Sequence, residues 1–243
     1  MPPKHKEEAR AALSSAIPGA ARSASEVFVR VDWQTALWDW GDDITSEGDV
    51  DEAGGSVTGA HTYANPGVYT VRLTVTDKDD APGKSVFQYV VVYDPIGGFV
   101  TGGGWINSLS GAYAVAPELT GKATFGFISK YKKGADTPTG ETEFQFRVAN
   151  LNFHSTYYQW LVVAGSRTKF KGTGTINGAG NYGFMLTAID GDIQGSGGTD
   201  KFRIKIWDRD SADVVVYDNE LGMKEGADPT TVIGGGSIVI HKK

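Results

Sequence analysis

The sequence predicts an all-β chain in which one β-sandwich is followed by a second antiparallel β-sandwich or barrel, with a short helical segment at the N-terminus. Two observations carry this prediction: apolar and polar residues alternate over short segments from Val27 onward, and turn-forming residues separate these segments. The 33 glycines among 243 residues are about twice the ordinary share and do not repeat as in collagen. With 40% hydrophobic residues, the chain can form a folded core.

Residues 1–25 are predicted to form a helical segment or tail outside the β domains. The stretch from Lys6 to Ile17 is alanine-rich and favours a helix, which Pro18 and Gly19 end. A helix of about twelve residues is marginal alone, so it needs a surface to pack on. Self-assembly through this segment, ordered by a neighbouring chain, is therefore one alternative. The segment is too polar to be typical of a secretory signal.

The first β domain is predicted over residues 26–95. Residues 68–77 alternate, so that Tyr69, Val71, Leu73 and Val75 share one face. Residues 85–94 form the next predicted strand, and residues 27–33 are a candidate first strand.

The second β domain is predicted over residues 98–243, after a short junction at Pro95–Gly98. Nine strands are expected here, each with one apolar face, so that the sheet closes as a sandwich or barrel. Their predicted ranges are 98–107, 122–132, 142–153, 158–164, 169–177, 182–190, 201–208, 214–219 and 237–241.

Two motifs in the first domain resemble the polycystic kidney disease (PKD) family of immunoglobulin-type β-sandwich domains. The first is W-D-W-G-D-D at residues 38–43, and the second runs from His61 to Asp77 with the pattern H-x-Y-x-x-x-G-x-Y-x-V-x-L-x-V-x-D. The first motif departs from the family pattern at two positions, with Trp40 in place of Phe and Asp43 in place of Gly. The second domain resembles a glycine-rich domain that follows PKD units in predicted secreted bacterial proteins. These resemblances imply an extracellular, two-module architecture.

Acidic residues suggest a calcium site in the first domain. Residues 26–96 carry a net charge of −9, which repels phosphate backbones and argues against nucleic-acid binding. Some PKD domains bind calcium with comparable loops, and Ca²⁺ takes carboxylate and carbonyl oxygens. The predicted ligands are Asp39, Asp42, Asp43, Asp77 and Asp79. A weaker second set is Asp190, Asp192, Asp208 and Asp210.

Several classes of chemistry are excluded or disfavoured by the residue types. The chain has no cysteine, so it has no disulfide, thiolate site or cysteine nucleophile. Its four histidines are far apart in sequence, and no phosphate loop or G-x-S-x-G motif occurs. Aspartates in turns do not suggest the paired carboxylates of a glycosidase. We expect no catalytic residue, a structural hydrogen bond for His61 and an exposed His154.

Aromatic residues of the second domain are candidates for a carbohydrate platform, in which exposed rings lie beside hydrogen-bonding groups. The predicted ligand-binding residues are Trp105, Tyr113, Tyr157, Tyr158 and Trp160. Residues 154–158 are expected to form a loop or hairpin end, with Tyr157 more exposed than Phe153.

The function expected from the sequence is a non-enzymatic extracellular or cell-surface module with a structural or adhesive role, stabilised by calcium. Its partner is a protein or polysaccharide at a cell surface. One alternative is a carbohydrate-binding accessory module of a secreted enzyme. Another is a subunit of an assembled surface or particle structure. No apolar run approaches the length of a membrane helix, so membrane insertion is not expected.

Overall fold

The computed structural model describes residues 33–52, 54–77, 79–94 and 98–242. It divides the chain into two compact units, residues 1–92 and 93–243. The described residues are 59% strand and 1% helix, which confirms the predicted all-β class. The predicted helical segment 1–25, the candidate strand 27–33 except its last residue, and most of the Pro95–Gly98 junction lie outside the described residues.

The first unit contains a four-stranded antiparallel sheet with the strand order β2-β1-β5-β6 and a separate pair, β3 and β4. The six strands are β1 (Trp33–Asp39), β2 (Thr45–Glu47), β3 (Asp49–Asp51), β4 (Ser56–Thr58), β5 (Gly67–Asp77) and β6 (Pro82–Val92). The alternation predicted for β5 is confirmed, because Val71, Leu73 and Val75 are buried. Trp38 and Trp40 lie two residues apart, stack at 5.2 Å between ring centroids and are fully buried.

The second unit is one nine-stranded antiparallel sheet. Strands β7 to β14 pair consecutively, and β15 pairs with β7 on its other side. The strands are β7 (Phe99–Ser108), β8 (Gly121–Lys130), β9 (Thr139–Phe146), β10 (Leu151–Ala164), β11 (Arg167–Ile176), β12 (Ala179–Ile189), β13 (Lys201–Asp208), β14 (Val214–Asp218) and β15 (Gly235–His241).

The nine-stranded sheet coils around a single core. Phe125 of β8 and Phe202 of β13 stack at 4.0 Å between ring centroids, although four strands separate β8 from β13 in the sheet. One face of the sheet therefore closes on itself, as in a barrel. Backbone groups of the two end strands, β14 and β15, form hydrogen bonds with groups outside the sheet. The N–H of Ala114 donates to Val216 of β14, and β15 donates from Ile238 and Ile240 to aspartate side chains.

One predicted strand of the second unit was wrong. Residues 142–153 were expected to be continuous, but a 3₁₀ turn at Arg147–Ala149 separates β9 from β10, and Asn150 adopts a left-handed conformation at φ 50°. Residues 154–158, expected at a hairpin end, instead lie inside β10. Two irregularities in the β10–β11 pairing, between Ser155 and Tyr157 and between Tyr158 and Trp160, interrupt the strict alternation there.

Candidate functional site

The acidic turn after β1 is held by its own side chains. Asp39 accepts a hydrogen bond from the Gly41 N–H at 3.0 Å, and the Arg72 guanidinium lies 3.3 Å from its other oxygen. Gly41 has φ +79°, and a side chain there would collide with the Thr70 backbone. Asp43 also has a positive φ, of 66°. The carboxylate of Asp39 therefore stabilises the turn itself.

Asp42 points in the other direction, toward an aromatic stack. Its Oδ2 lies 2.8 Å from His61 Nε2, which is the structural hydrogen bond expected of His61. The imidazole of His61 stacks on Trp40 at 5.2 Å and meets Tyr63 edge-on. Burial, followed by the nearby charge of Asp42, raises the pKa of Tyr63 to about 12. The second carboxylate oxygen of Asp42, Oδ1, is buried and has no hydrogen-bond partner among the described residues.

The five aspartates proposed as calcium ligands do not form one group, which corrects the sequence-based prediction. The antiparallel register places Asp39 opposite Arg72 and Asp77 opposite Trp33, at the other end of β1. Six residues of strand separate these two ends by about 20 Å. At the far end, Asp77 accepts hydrogen bonds from the N–H groups of Asp79 and Ala81. Asp39, Asp42 and Asp43 are thus separate from Asp77 and Asp79.

The weaker acidic set is also divided between two ends of a hairpin. Asp208 is opposite Tyr182, whereas Asp190 follows Ile189 at the other end of β12. Asp190 accepts hydrogen bonds from the N–H groups of Asp192 and Ile240. Asp208 accepts from the Asp210 N–H and the Ser211 hydroxyl. These carboxylates satisfy nearby or distant polar groups of the fold rather than converge on one point.

Two of the five predicted platform aromatics belong to the interior. Tyr158 is only 3% exposed, and its hydroxyl lies 2.6 Å from the Thr142 hydroxyl, so its assignment as a ligand-binding residue was wrong. The irregular pairing of β10 turns Tyr158 inward while Tyr157 points outward. Tyr113 is partly buried against the core and contacts Phe146 edge-on.

Trp105 lies on the outer face of β7, at a distance from the other candidates. Its ring is close to Gly234 and Gly235, and Lys122 Nζ lies 4.6 Å from the ring centroid. Trp105 is in register with Thr124 of β8, two strands before β10. The five predicted residues therefore do not form a common platform.

Tyr157 and Trp160 share the outer face of β10 with groups from the next three strands. Tyr157 is 53% exposed, whereas Phe153 is fully buried, as predicted. The row that begins at Tyr157 continues through Thr173 and Gly183 to Trp207. We call the set Tyr157, Trp160, Lys171 and Trp207 the aromatic face; Tyr157 is its most exposed ring, whereas Trp207 is only 8% exposed.

Within the aromatic face, Trp207 packs over Gly183 and beside a lysine. A side chain at Gly183 would collide with the indole of Trp207, so the glycine makes room for the ring. Lys171 Nζ lies 5.4 Å from the Trp207 ring centroid, within the range of a cation–π interaction. Since Tyr157 and Trp207 are three strands apart, about 14 Å separates their positions, and only small residues lie between them.

Next to the aromatic face, two rows of cations flank β12. Arg167, Lys169 and Lys171 of β11 are in register, through β12, with Lys201, Arg203 and Lys205 of β13. The connection from β14 to β15 covers much of this surface, and we call its residues 219–231 the strap. Arg203 donates to the carbonyls of Met223 and Lys224 and forms a bidentate ion pair with Asp218. Arg167 pairs with Asp228, and Lys205 pairs with Glu225.

A buried glutamate, Glu220, joins the two ends of the strap. Glu220 Oε1 accepts hydrogen bonds from the N–H groups of Thr230 and Thr231 and also contacts both hydroxyls. Lys169 donates to the carbonyl of Glu225 beneath the strap. Burial, reinforced by Arg203 and Arg167, lowers the pKa of Lys169 to about 8.

The sequence-based reading missed Trp207 and the strap for different reasons. The alternation of KFRIKIWD places Trp207 with the lysines and away from Phe202, Ile204 and Ile206, so a signal for a tryptophan outside the main core was present, although Trp207 is buried there. The strap has no such signal, because its contacts join residues far apart in the chain.

The comparisons with known proteins bear on the first unit. A family model described as PKD domain matches residues 23–92, which supports a PKD domain there. The match covers less than a third of the chain and does not extend into the glycine-rich second unit. No curated protein and no solved structure matched the chain. PKD domains are non-catalytic immunoglobulin-like modules that typically occur in extracellular proteins. The described residues contain no helix that is long and apolar enough to span a bilayer.

Proposed function

We propose that the chain is a non-enzymatic extracellular module with a structural or adhesive role, and that the aromatic face of the second unit is its contact surface. The PKD domain at residues 23–92 supports the extracellular setting. The observation that carries the contact surface is Tyr157, which is 53% exposed although it lies within the central strand of the nine-stranded sheet.

The position of Tyr157 suits recognition because the neighbouring residues of β10 are anchored in the core. Its neighbours Phe153 and Tyr158 are buried on the opposite face, and Tyr157 itself is paired with Thr173 of β11, whereas the pairing with β9 ends at His154. A tyrosine ring offers a large contact area and has few rotatable bonds, so little conformational entropy is lost on binding. Trp160 extends the same face of β10, and Lys171 adds a cation beside it.

A polysaccharide is the ligand class that one observation favours. Tyr157 is in register with Thr173, whose hydroxyl lies 3.5 Å from that of Thr156. Sugar rings pack on aromatic side chains while neighbouring polar groups bind their hydroxyls. This arrangement supports a carbohydrate-binding accessory module as the second candidate function.

The test is binding by the purified full chain to a glycan array and to cell-surface proteins. Tyr157→Ala and Trp160→Ala are each expected to weaken binding by about tenfold, which corresponds to about 1.4 kcal/mol. Val115→Ala is the matched control, because Val115 is 72% exposed and lies outside the aromatic face. Glycan binding supports the accessory module, and protein binding supports adhesion. Binding that is unchanged by both aromatic substitutions would contradict the proposed surface.

In the acidic turn after β1, we propose that a stabilising calcium ion binds beside Asp42, because Asp39 already pairs with the Gly41 N–H and with Arg72. The buried Asp42 Oδ1, which has no hydrogen-bond partner in the described part of the chain, supports this choice over the Asp77 end. Calcium at 100 times its dissociation constant would add about 2.7 kcal/mol to the free energy of unfolding. Calorimetry of the parent chain with calcium and with chelator tests this; Asp42→Asn is expected to lose the calcium effect, and the Asp77→Asn control to keep it. Equal melting temperatures of the parent chain in both conditions would refute it.

The assembly alternative depends on residues 1–25, which lie outside the described residues. Self-association of the full chain that is lost when these residues are removed would support it.

A further inference from the structure

We propose that Glu141, Glu143 and His154, on the outer face of the second unit, bind a divalent transition-metal ion such as Zn²⁺. One ligand atom from each of these three side chains lies within 4.8 Å of the others. Among the described residues, no other group of three acidic or histidine side chains comes this close together. The site is distinct from the calcium ligands considered above and from the aromatic face.

The backbone that carries the three residues is fixed. Glu141 and Glu143 lie two apart on β9, so they share a face, and Glu143 is directly opposite His154 on β10. Between the two glutamates, the side chain of Thr142 faces inward. The backbone N–H of Thr142 donates a hydrogen bond to the Ser155 hydroxyl at 2.8 Å. Phe144 and Phe153 are fully buried on the core side of the same hairpin. Because the hairpin is packed, only side-chain rotations are needed to bring the three groups onto one ion.

The distances place the three side chains within reach of one such ion, although each glutamate now faces a different ring nitrogen of His154. His154 Nδ1 lies 3.4 Å from Glu143 Oε1, and His154 Nε2 lies 3.7 Å from Glu141 Oε1. Ligands on a tetrahedral Zn²⁺, with bonds of about 2.0 to 2.2 Å, are about 3.4 Å apart. One ring nitrogen would face the ion. A rotation of the imidazole would bring that nitrogen to the ion together with one oxygen of each glutamate.

The surroundings of the two glutamates favour a cation. On the β8 side, Glu141 is opposite Ile128 and Glu143 is opposite Gly126. Neither neighbour is basic, and the ion pairs of both glutamates in the described structure are with His154. A side chain at Gly126 would meet no atom within 4 Å, so the space beside Glu143 is open for a water on the ion. An imidazole in the ligand set selects transition metals over Ca²⁺ and Mg²⁺.

The experiment titrates ZnCl₂ into the untagged full chain by calorimetry and follows the histidine ring signals by NMR. We expect one Zn²⁺ per chain and a shift of the His154 ring resonances, with those of His61 and His241 unchanged. His154→Gln and Glu141→Gln are expected to weaken binding by at least about 10- to 100-fold, the range for loss of a group that supports a metal ligand. Glu118→Gln is the control, because it removes one exposed carboxylate elsewhere on the unit.

Three results would overturn the proposal. They are no saturable binding, binding that persists unchanged in His154→Gln, and binding weakened equally by Glu118→Gln. The last would indicate general attraction to surface charge. All three variants alter exposed or half-exposed side chains, so amide spectra like that of the parent chain are expected and confirm that each remains folded.

Discussion

Aspartate side chains accept backbone hydrogen bonds in both units, and in the second unit some of these bonds join residues much farther apart along the chain. In the first unit, Asp39 accepts a hydrogen bond from Gly41, and Asp77 accepts from Asp79 and Ala81, all within four residues. In the second unit, Asp190 accepts from Ile240, fifty residues away, and Asp200 accepts from Ile238. The first kind shapes a turn, whereas the second kind joins the edge strand β15 to the rest of a coiled sheet.

This difference predicts that the acidic residues of the two units respond differently to substitution. The short-range carboxylates are mostly exposed, so water can replace them. The long-range carboxylates of Asp190 and Asp218 are 4% and 2% exposed, so their loss leaves buried groups without a partner. Substitution of matched residues from each unit tests this contrast.

The largest effect is expected for Asp218→Ala. Asp218 forms a bidentate ion pair with Arg203, at 2.8 and 3.0 Å, and both side chains are buried. Removing one partner of a buried pair leaves an uncompensated charge and costs about 3 to 5 kcal/mol. Urea unfolding of the full chain, with amide exchange to assign the transition to the second unit, measures the loss.

The matched variant in the first unit is Asp39→Ala, which breaks the exposed pair with Arg72. A loss of about 1 kcal/mol or less is expected there. The double variant Asp218→Leu with Arg203→Met should be less destabilised than Asp218→Ala, since it leaves no buried charge. Equal losses for Asp218→Ala and Asp39→Ala would contradict the contrast.

A smaller effect is expected for Asp190→Ala, which removes the acceptor for Ile240 and Asp192. Two N–H groups lose their partner, one of them fully buried, and the expected loss is about 2 to 3 kcal/mol. Asp77→Ala is the control, because Asp77 also accepts two N–H groups but at an exposed turn. Amide exchange should show faster exchange in β15 for Asp190→Ala and no change there for Asp77→Ala.

The same contrast explains how far the sequence could predict the molecule. The W-D-W-G-D-D turn, the buried face of β5 and the strand Lys201–Asp208 follow from local patterns, and the structure agrees with each. The strand from Thr142 to Phe153 was predicted as continuous because alternation does not reveal a residue such as Asn150 in a left-handed conformation. Grouping Asp39 with Asp77 failed because strand register, which sets their separation, is not visible in either motif.

The candidate sites depended even more on register. Tyr157 was correctly expected to be exposed, but the irregular pairing around it buried Tyr158, which simple alternation could not show. His154, Glu141 and Glu143 come together only because β9 and β10 pair at one register.

The smallest and most gradual effect is expected from pH, through Lys169 beneath the strap. Its pKa is lowered to about 8, first by burial and then by Arg203 and Arg167. Above pH 8 the folded chain has released this proton, whereas the unfolded chain holds it up to about pH 10.5. The unfolded state then binds more protons, so the contribution of Lys169 to stability rises with pH, with a slope approaching about 1.4 kcal/mol per pH unit.

Urea unfolding between pH 7 and 9.5 should show this rise, below the range in which unfolded tyrosines ionise. Lys169→Met should remove it, and Lys130→Met, which alters an exposed lysine of β8, should retain it. An identical pH dependence in Lys169→Met and the parent chain would show that the strap does not keep this ammonium group from water.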